Sequence, residues 1–104
     1  MTTNKKKKSQ AEKFLEGLVG QLTLPDLVDS IRKGEGWTKK EMAEELGVSA
    51  TYYSDFVAGK KPVSPQKAAD WAETLGYDAL QFVELALQDQ LKRNNLPFTV
   101  QLQA

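Results

Sequence analysis

The sequence contains neither cysteine nor histidine among its 104 residues. Without cysteine there are no disulfides and no thiolate nucleophiles, and without histidine there is no imidazole acid–base catalysis. The two absences together exclude most zinc sites. The sequence also has no pattern typical of a nucleophile–base pair, a metal cluster or a phosphate-binding loop. We therefore expect no catalytic residues, no metal and no cofactor, and a protein that is not an enzyme.

Long apolar runs are missing as well. No stretch approaches the roughly 18 apolar residues that cross a bilayer. The lysines at positions 5–8 are followed by an amphipathic segment, whereas a signal peptide would continue with an apolar one. These features predict a cytoplasmic protein that does not contact a membrane. With 40% apolar residues, a chain of this length can bury a single core.

The charged residues balance overall but are unevenly distributed. The chain has 14 basic and 14 acidic residues, and four of the lysines stand in residues 1–8, which contain no acid. The other 96 residues therefore carry ten basic and 14 acidic side chains, a net charge of −4. Residues 1–8 are predicted to form a disordered basic arm. Such an arm either contacts phosphates transiently or serves only as a solvated terminus.

The spacing of apolar residues and the helix caps predict an all-α fold. We expect an N-terminal helix, then five further helices, within a helical domain at residues 9–95. The first would begin at the capping box Ser9 to Glu12, and its apolar stripe would contact either the core or a partner. The start signals of the other five are Pro25, Thr38 with Glu41, Ser49, Pro65 and Asp78. Gly34 with Gly36, Gly47, Gly59 and Gly76 are predicted to end four of them.

The C-terminal region has an apolar surface wider than one core requires. The last predicted helix is apolar on more than one face, which is typical of a helix covered on one side by a partner chain. In residues 96–104 apolar and polar residues alternate, as in a half-buried β-strand. That strand would pair with a second copy or with another protein, or pack without regular pairing. The predicted dimerisation residues are Phe82, Leu85, Leu87, Leu91, Phe98, Val100 and Leu102.

The stretch GWTKKEMAEELGVSATYYSDFVAGKKPVSPQKAADWAETLG, residues 36–76, resembles the helix-turn-helix of the Cro/C1 repressor-like family, also called the XRE family. About 40 residues correspond in order and spacing. The resemblance implies a lambda-repressor-like bundle with its motif at residues 38–58. Ala43 is small where two helices cross, Gly47 permits a left-handed turn, and Phe56 anchors the second helix on the core. Tyr53, Trp37 and Trp71 are expected to be packing residues.

In that family the second helix of the motif lies in the DNA major groove. Carried over to this chain, the predicted base-reading residues are Ala50, Thr51, Tyr52, Ser54 and Asp55. The predicted DNA-backbone contacts are Thr38, Lys39, Lys40, Ser49, Lys60 and Lys61. Two alternatives stay open. Asp55 could accept a hydrogen bond from cytosine, or it could instead be repelled by phosphates or form an intrahelical contact with Thr51 or Tyr52. Lys60 and Lys61 could contact phosphate or belong to a solvated loop.

The resemblance implies a sequence-specific transcriptional regulator that binds double-stranded DNA. The wide apolar surface favours a homodimer, which would read an inverted repeat through the helix at residues 49–58. We expect the regulator to be a repressor or an autoregulator, because no ligand-binding domain is visible in the sequence. The alternative is a protein-interaction module, antitoxin-like or a co-regulator, with a protein partner on the reading face. The absence of Arg and Lys from that helix motivates this alternative.

Overall fold

The computed structural model describes residues 22–103 and contains five helices in that range. They are α1 (Leu24–Glu35), α2 (Lys39–Leu46), α3 (Ala50–Val57), α4 (Pro65–Leu75) and α5 (Ala79–Arg93). The predicted basic arm and nearly all of the predicted helix at residues 9–22 lie outside the described part. The five helices that we expected after that segment are all present, and the predicted all-α fold is confirmed. Among the described helices, none is long and apolar enough to cross a bilayer.

Each helix begins where a side chain caps the first turn. The capping residues are Thr23, Thr38, Ser49, Ser64 and Asp78, and each accepts a hydrogen bond from a backbone N–H in the turn that follows. The capping box at the start of α2 is complete. The Thr38 hydroxyl accepts from the Glu41 N–H at 3.1 Å, and the Glu41 carboxylate accepts from the Thr38 N–H at 2.8 Å. The predicted helix starts are thereby confirmed.

One apolar core joins all five helices. α4 packs along α5, α2 packs against α3 and α4, and α1 contacts α3 and α5. In the centre, the rings of Phe56 and Trp71 meet edge to face with centroids 5.0 Å apart. The buried apolar residues are Leu24, Leu27, Val28, Ile31, Met42, Ala43, Leu46, Tyr53, Phe56, Val63, Ala68, Trp71, Ala72, Phe82 and Ala86. Tyr53 and Trp71 are thus confirmed as core residues, and Trp37 packs half-buried against this cluster.

A polar network links α1 to α3. The Tyr53 hydroxyl donates to the Asp29 carboxylate at 3.1 Å, although Tyr53 itself is 0% exposed. The Arg32 guanidinium donates to the same carboxylate oxygen at 2.7 Å and to the Trp37 carbonyl at 2.8 Å. Lys33 adds an ion pair with Asp29 at 3.6 Å. One carboxylate therefore connects α1, the loop after it and the buried side of α3.

The network shifts the pKa values of its two acidic groups in opposite directions. Partial burial acts to raise the pKa of Asp29, but hydrogen bonds from Arg32 and Tyr53 and the nearby cations outweigh it, so this pKa lies below its usual 3.8. Burial, reinforced by the Asp29 carboxylate, raises the pKa of Tyr53 well above its usual value of 10.0. The phenol therefore remains a protonated donor and the carboxyl an ionised acceptor.

The prediction of a C-terminal strand at residues 96–104 is wrong for the described part of this segment, residues 96–103, which contains no strand. Asn95 takes a left-handed φ of 56°, and the chain turns back towards α5. The Gln88 amide donates to the Phe98 carbonyl at 2.9 Å and accepts from the Val100 N–H at 2.8 Å. The Glu84 carboxylate accepts from the Leu102 N–H at 2.9 Å. Side chains of α5 thus bond the backbone groups that a partner strand would otherwise have bonded.

We expect Tyr53→Phe to lower the free energy of unfolding by about 2 kcal/mol, because it removes one hydrogen bond to a charged acceptor and leaves the ring packing intact. Urea denaturation followed by circular dichroism measures this change. Tyr52→Phe is the matched control, since the Tyr52 hydroxyl makes only a long contact of 3.4 Å with the Pro62 carbonyl. Equal stability of the Tyr53→Phe variant and the wild type would contradict a stabilising role for the network.

The pKa of Asp29 predicts a pH dependence of stability. Because this pKa is lowered by folding, the unfolded chain binds more protons around the usual value of 3.8. The stabilisation is complete above that pH and is lost as the pH falls through the folded-state pKa. We expect the stability gap between wild type and Asp29→Asn to be largest near neutral pH and to close between about pH 4 and pH 2. Urea midpoints of both proteins across this range test it, and a gap that stays constant would refute it.

Candidate nucleic-acid interface

The turn between α2 and α3 fixes the two helices relative to each other. Gly47 has φ 72°, a left-handed conformation that strains other residues, and its N–H bonds to carbonyls in the last turn of α2. The N–H of Val48 donates to the Ala43 carbonyl at 3.0 Å, while its side chain packs on the core. The Ser49 hydroxyl then accepts from the Tyr52 N–H at 3.0 Å and starts α3. This is the helix-turn-helix arrangement that the sequence predicted.

α3 has an anchored face and an open face. Tyr53 and Phe56 are 0% and 1% exposed and hold the helix on the core. Ala50, Thr51 and Ser54 are exposed on the other side. Thr51 and Asp55 are separated by one helical turn, so their side chains share the centre of the open face. The reading face, meaning the outward side of Ala50, Thr51, Tyr52, Ser54 and Asp55, is therefore presented by a helix that the core holds in place.

Asp55 has an unbonded carboxylate. Within residues 22–103 its side chain makes no hydrogen bond or ion pair, and in particular none to Thr51 or Tyr52. Its backbone carbonyl accepts from the Lys60 N–H at 2.8 Å. The intrahelical contact considered from the sequence is thus not formed in this structure. The carboxylate is partly exposed on the reading face and is the only charged group that α3 carries.

Tyr52 lies at the edge of the reading face and is partly committed to its neighbours. Its ring packs half-buried against the core, with the Lys67 ammonium 4.6 Å and the Lys61 ammonium 6.0 Å from the ring centroid. The aromatic face therefore holds two cations beside α3. Of the side chains predicted to touch bases, Tyr52 is the one that the structure ties to the following loop.

The predicted backbone-contact lysines are all exposed. Lys39 and Lys40 lie in the first turn of α2, and Lys60 and Lys61 in the loop after α3. None of these four ammonium groups has an ion pair with a described residue. Thr38 and Ser49 use their hydroxyl oxygens as caps, which leaves each O–H hydrogen free to donate. The structure thus leaves these donors exposed at the start of α2 and in the segments just before and just after α3.

Two further residues contribute that the sequence analysis missed. Lys67 stands in the first turn of α4 beside Tyr52, a position visible in sequence only as a lysine just after the Ser64 cap. Arg93 at the end of α5 donates to the Gly59 carbonyl at 2.9 Å, across 34 residues. No local sequence signal points to that bond. It attaches the loop that carries Lys60 and Lys61 to the last helix.

The predicted dimerisation residues divide into two groups. The first group faces the core: Phe82 is 0% exposed, and Leu85 packs against the core cluster. The prediction that Phe82 belongs to a dimer surface is therefore wrong. The error arose because α5 has apolar residues on both its inner and its outer side. Leu87 and Leu91 are partly exposed and belong to an outer stripe, which we define as Leu80, Val83, Leu87 and Leu91. Val100 and Leu102 of the tail are also partly exposed, and Phe98 is 62% exposed.

The described arrangement has a counterpart among known protein families. A family model described as helix-turn-helix matches residues 29–82, just over half of the chain. The matched range begins at Asp29 of the polar network, spans α2 to α4 and ends at Phe82 of the core. No curated protein and no solved structure gives a significant match.

Proposed function

Because this chain belongs to the Cro/C1-type helix-turn-helix family and is a DNA-binding regulator, we propose that it is a dimeric repressor or autoregulator that reads an inverted repeat. The observation that carries this proposal is the reading face of α3. It is anchored from behind by two buried aromatic side chains, and its own polar groups are open. In the proposed complex α3 lies in the major groove and its first turn faces base edges.

The donors around the reading face support a backbone-positioning role. Lys39 and Lys40 precede α3 along the chain, whereas Lys60, Lys61 and Lys67 follow it, and Lys61 and Lys67 lie beside Tyr52 of that helix. Contacts to phosphates position a reader, and contacts to bases give it specificity. If four of these lysines in each subunit engage phosphates, a dimer neutralises eight of them, and the log–log salt slope is roughly −7.

The outer stripe and the tail support a homodimer. The four residues of the stripe are partly exposed, recur three or four positions apart on α5, and are not among the residues packed on the core. Phe98 stands beside this helix on a tail held by Gln88. We propose that a second copy covers the stripe together with Phe98, Val100 and Leu102 through side-chain packing. A two-fold axis there places two α3 helices for half-sites one DNA turn apart, about 34 Å.

A protein-interaction module is the second candidate function. Two observations favour it. α3 carries one unbonded acidic side chain and no cation, and the described helices carry many exposed acidic side chains. In that case a protein partner would occupy the reading face. The two candidates differ in whether the flanking lysines matter for polyanion binding.

The combined substitution of Lys39, Lys60 and Lys61 by Gln tests DNA binding. We expect it to abolish salt-dependent retention on heparin and to reduce the salt slope for duplex DNA by about five in a dimer, because six phosphate contacts are lost. Lys33→Gln is a control for the loss of a single positive charge on α1, where Lys33 pairs with Asp29, and it should leave heparin retention largely unchanged. A wild-type protein that heparin does not retain at low salt would instead favour the protein-interaction module.

Leu87→Glu tests the proposed dimer surface. Placing a charge in the outer stripe should raise the dimer dissociation constant at least tenfold without unfolding the chain, because the residue is not packed on the core. Sedimentation velocity over a concentration series measures this, and circular dichroism verifies the fold. Thr74→Glu, which adds the same charge at an exposed site on α4, should leave dimerisation unchanged. A wild-type protein that is monomeric at micromolar concentration would contradict the dimer proposal.

A further inference from the structure

On the reading face, the Asp55 carboxylate is the group whose hydrogen-bonding chemistry points to one particular DNA base. Hydroxyls such as those of Thr51 and Ser54 both donate and accept, so they suit several base edges. An ionised carboxylate only accepts. The Asp55 carboxylate is partly exposed and makes no hydrogen bond to any described residue, so it meets DNA with its accepting capacity unused.

A carboxylate in the major groove has few favourable neighbours. It is repelled by the phosphates and by the acceptor atoms of guanine, and nothing in α3 neutralises it, because the helix has no Lys or Arg. The available donors on base edges are the amino groups of cytosine and adenine. In adenine the amino group lies beside the N7 acceptor, which opposes a carboxylate. In cytosine the neighbouring position carries a C–H group.

We propose that Asp55 selects a cytosine in each half-site by accepting a hydrogen bond from its N4 amino group. This inference rests on the proposed DNA-reading function and adds the base that this side chain specifies. Thr51 lies four residues away, about 6 Å along the helix axis, compared with about 3.4 Å between base pairs. Thr51 therefore faces a neighbouring base pair, and the two side chains specify separate positions.

The experiment is selection of bound duplexes from a random pool, followed by sequencing, with wild type, Asp55→Ala and Asp55→Asn. We expect the wild type to enrich a repeat with one conserved cytosine in each half. Asp55→Ala should lose the preference at that position alone. Asp55→Asn should replace cytosine by adenine there, because an amide donates to N7 and accepts from N6 of adenine. Glu73→Gln, an exposed acid on α4, removes the same charge and should retain the cytosine.

A binding measurement makes the test quantitative. Inverting the specified C·G pair should weaken wild-type binding about tenfold, a typical cost of a mismatched pair, and should leave Asp55→Ala binding unchanged. The comparison forms a double-mutant cycle between one side chain and one base pair. Circular dichroism verifies that each variant is folded.

Three outcomes separate the inference from the function on which it rests. Loss of the single preference in Asp55→Ala supports the inference. If Asp55→Ala retains the cytosine and binds every duplex more tightly, the carboxylate is only repulsive; the inference is then overturned and the DNA-reading function stands. If the wild type enriches no repeat, both the inference and the sequence-specific function are overturned.

Discussion

The orientation of α3 depends on the hydrogen bond between the Tyr53 hydroxyl and the Asp29 carboxylate. A helix of eight residues is too short to be stable alone, so its position must come from what it packs against. Phe56 supplies apolar contact, which is non-directional. The hydrogen bond adds direction, because it fixes the rotation of α3 about its axis relative to α1. The reading face can point outward as a unit only when that rotation is fixed.

The same carboxylate extends the constraint to the start of α2. Through Arg32 it reaches the Trp37 carbonyl, one residue before the Thr38 cap. The first turn of α2, which carries Lys39 and Lys40, is therefore tied to the same point as the buried side of α3. On the other side of the motif, Arg93 holds the Gly59 carbonyl just before Lys60 and Lys61. Both groups of lysines thus stand on backbone that is fixed by a hydrogen bond from arginine.

Local features of this fold could be predicted from sequence, and distant ones could not. The caps at Thr38 and Ser49 and the turn at Gly47 are decided within three or four residues, so the five helix starts were correct. The core was also predictable, since apolar spacing marks the inner faces of α2, α3 and α4. The bonds Tyr53 to Asp29 and Arg93 to Gly59 span 24 and 34 residues. Such pairs leave no periodic pattern. The tail was predicted to be a strand because its apolar and polar residues do alternate. Its backbone groups, however, form hydrogen bonds with the side chains of Gln88 and Glu84.

The Arg93 bond also has a consequence for the geometry of the proposed operator. It joins the end of α5, the helix that carries the proposed dimer surface, to the loop just after α3, so in the proposed dimer the two reading helices would be connected by a short path. One inserted base pair turns a half-site by about 35° around the duplex axis. A flexible linker would absorb that rotation, whereas a path braced by a side chain resists it. In the proposed dimer the spacing between half-sites therefore becomes part of the recognised sequence, without any need for contacts to the bases between them.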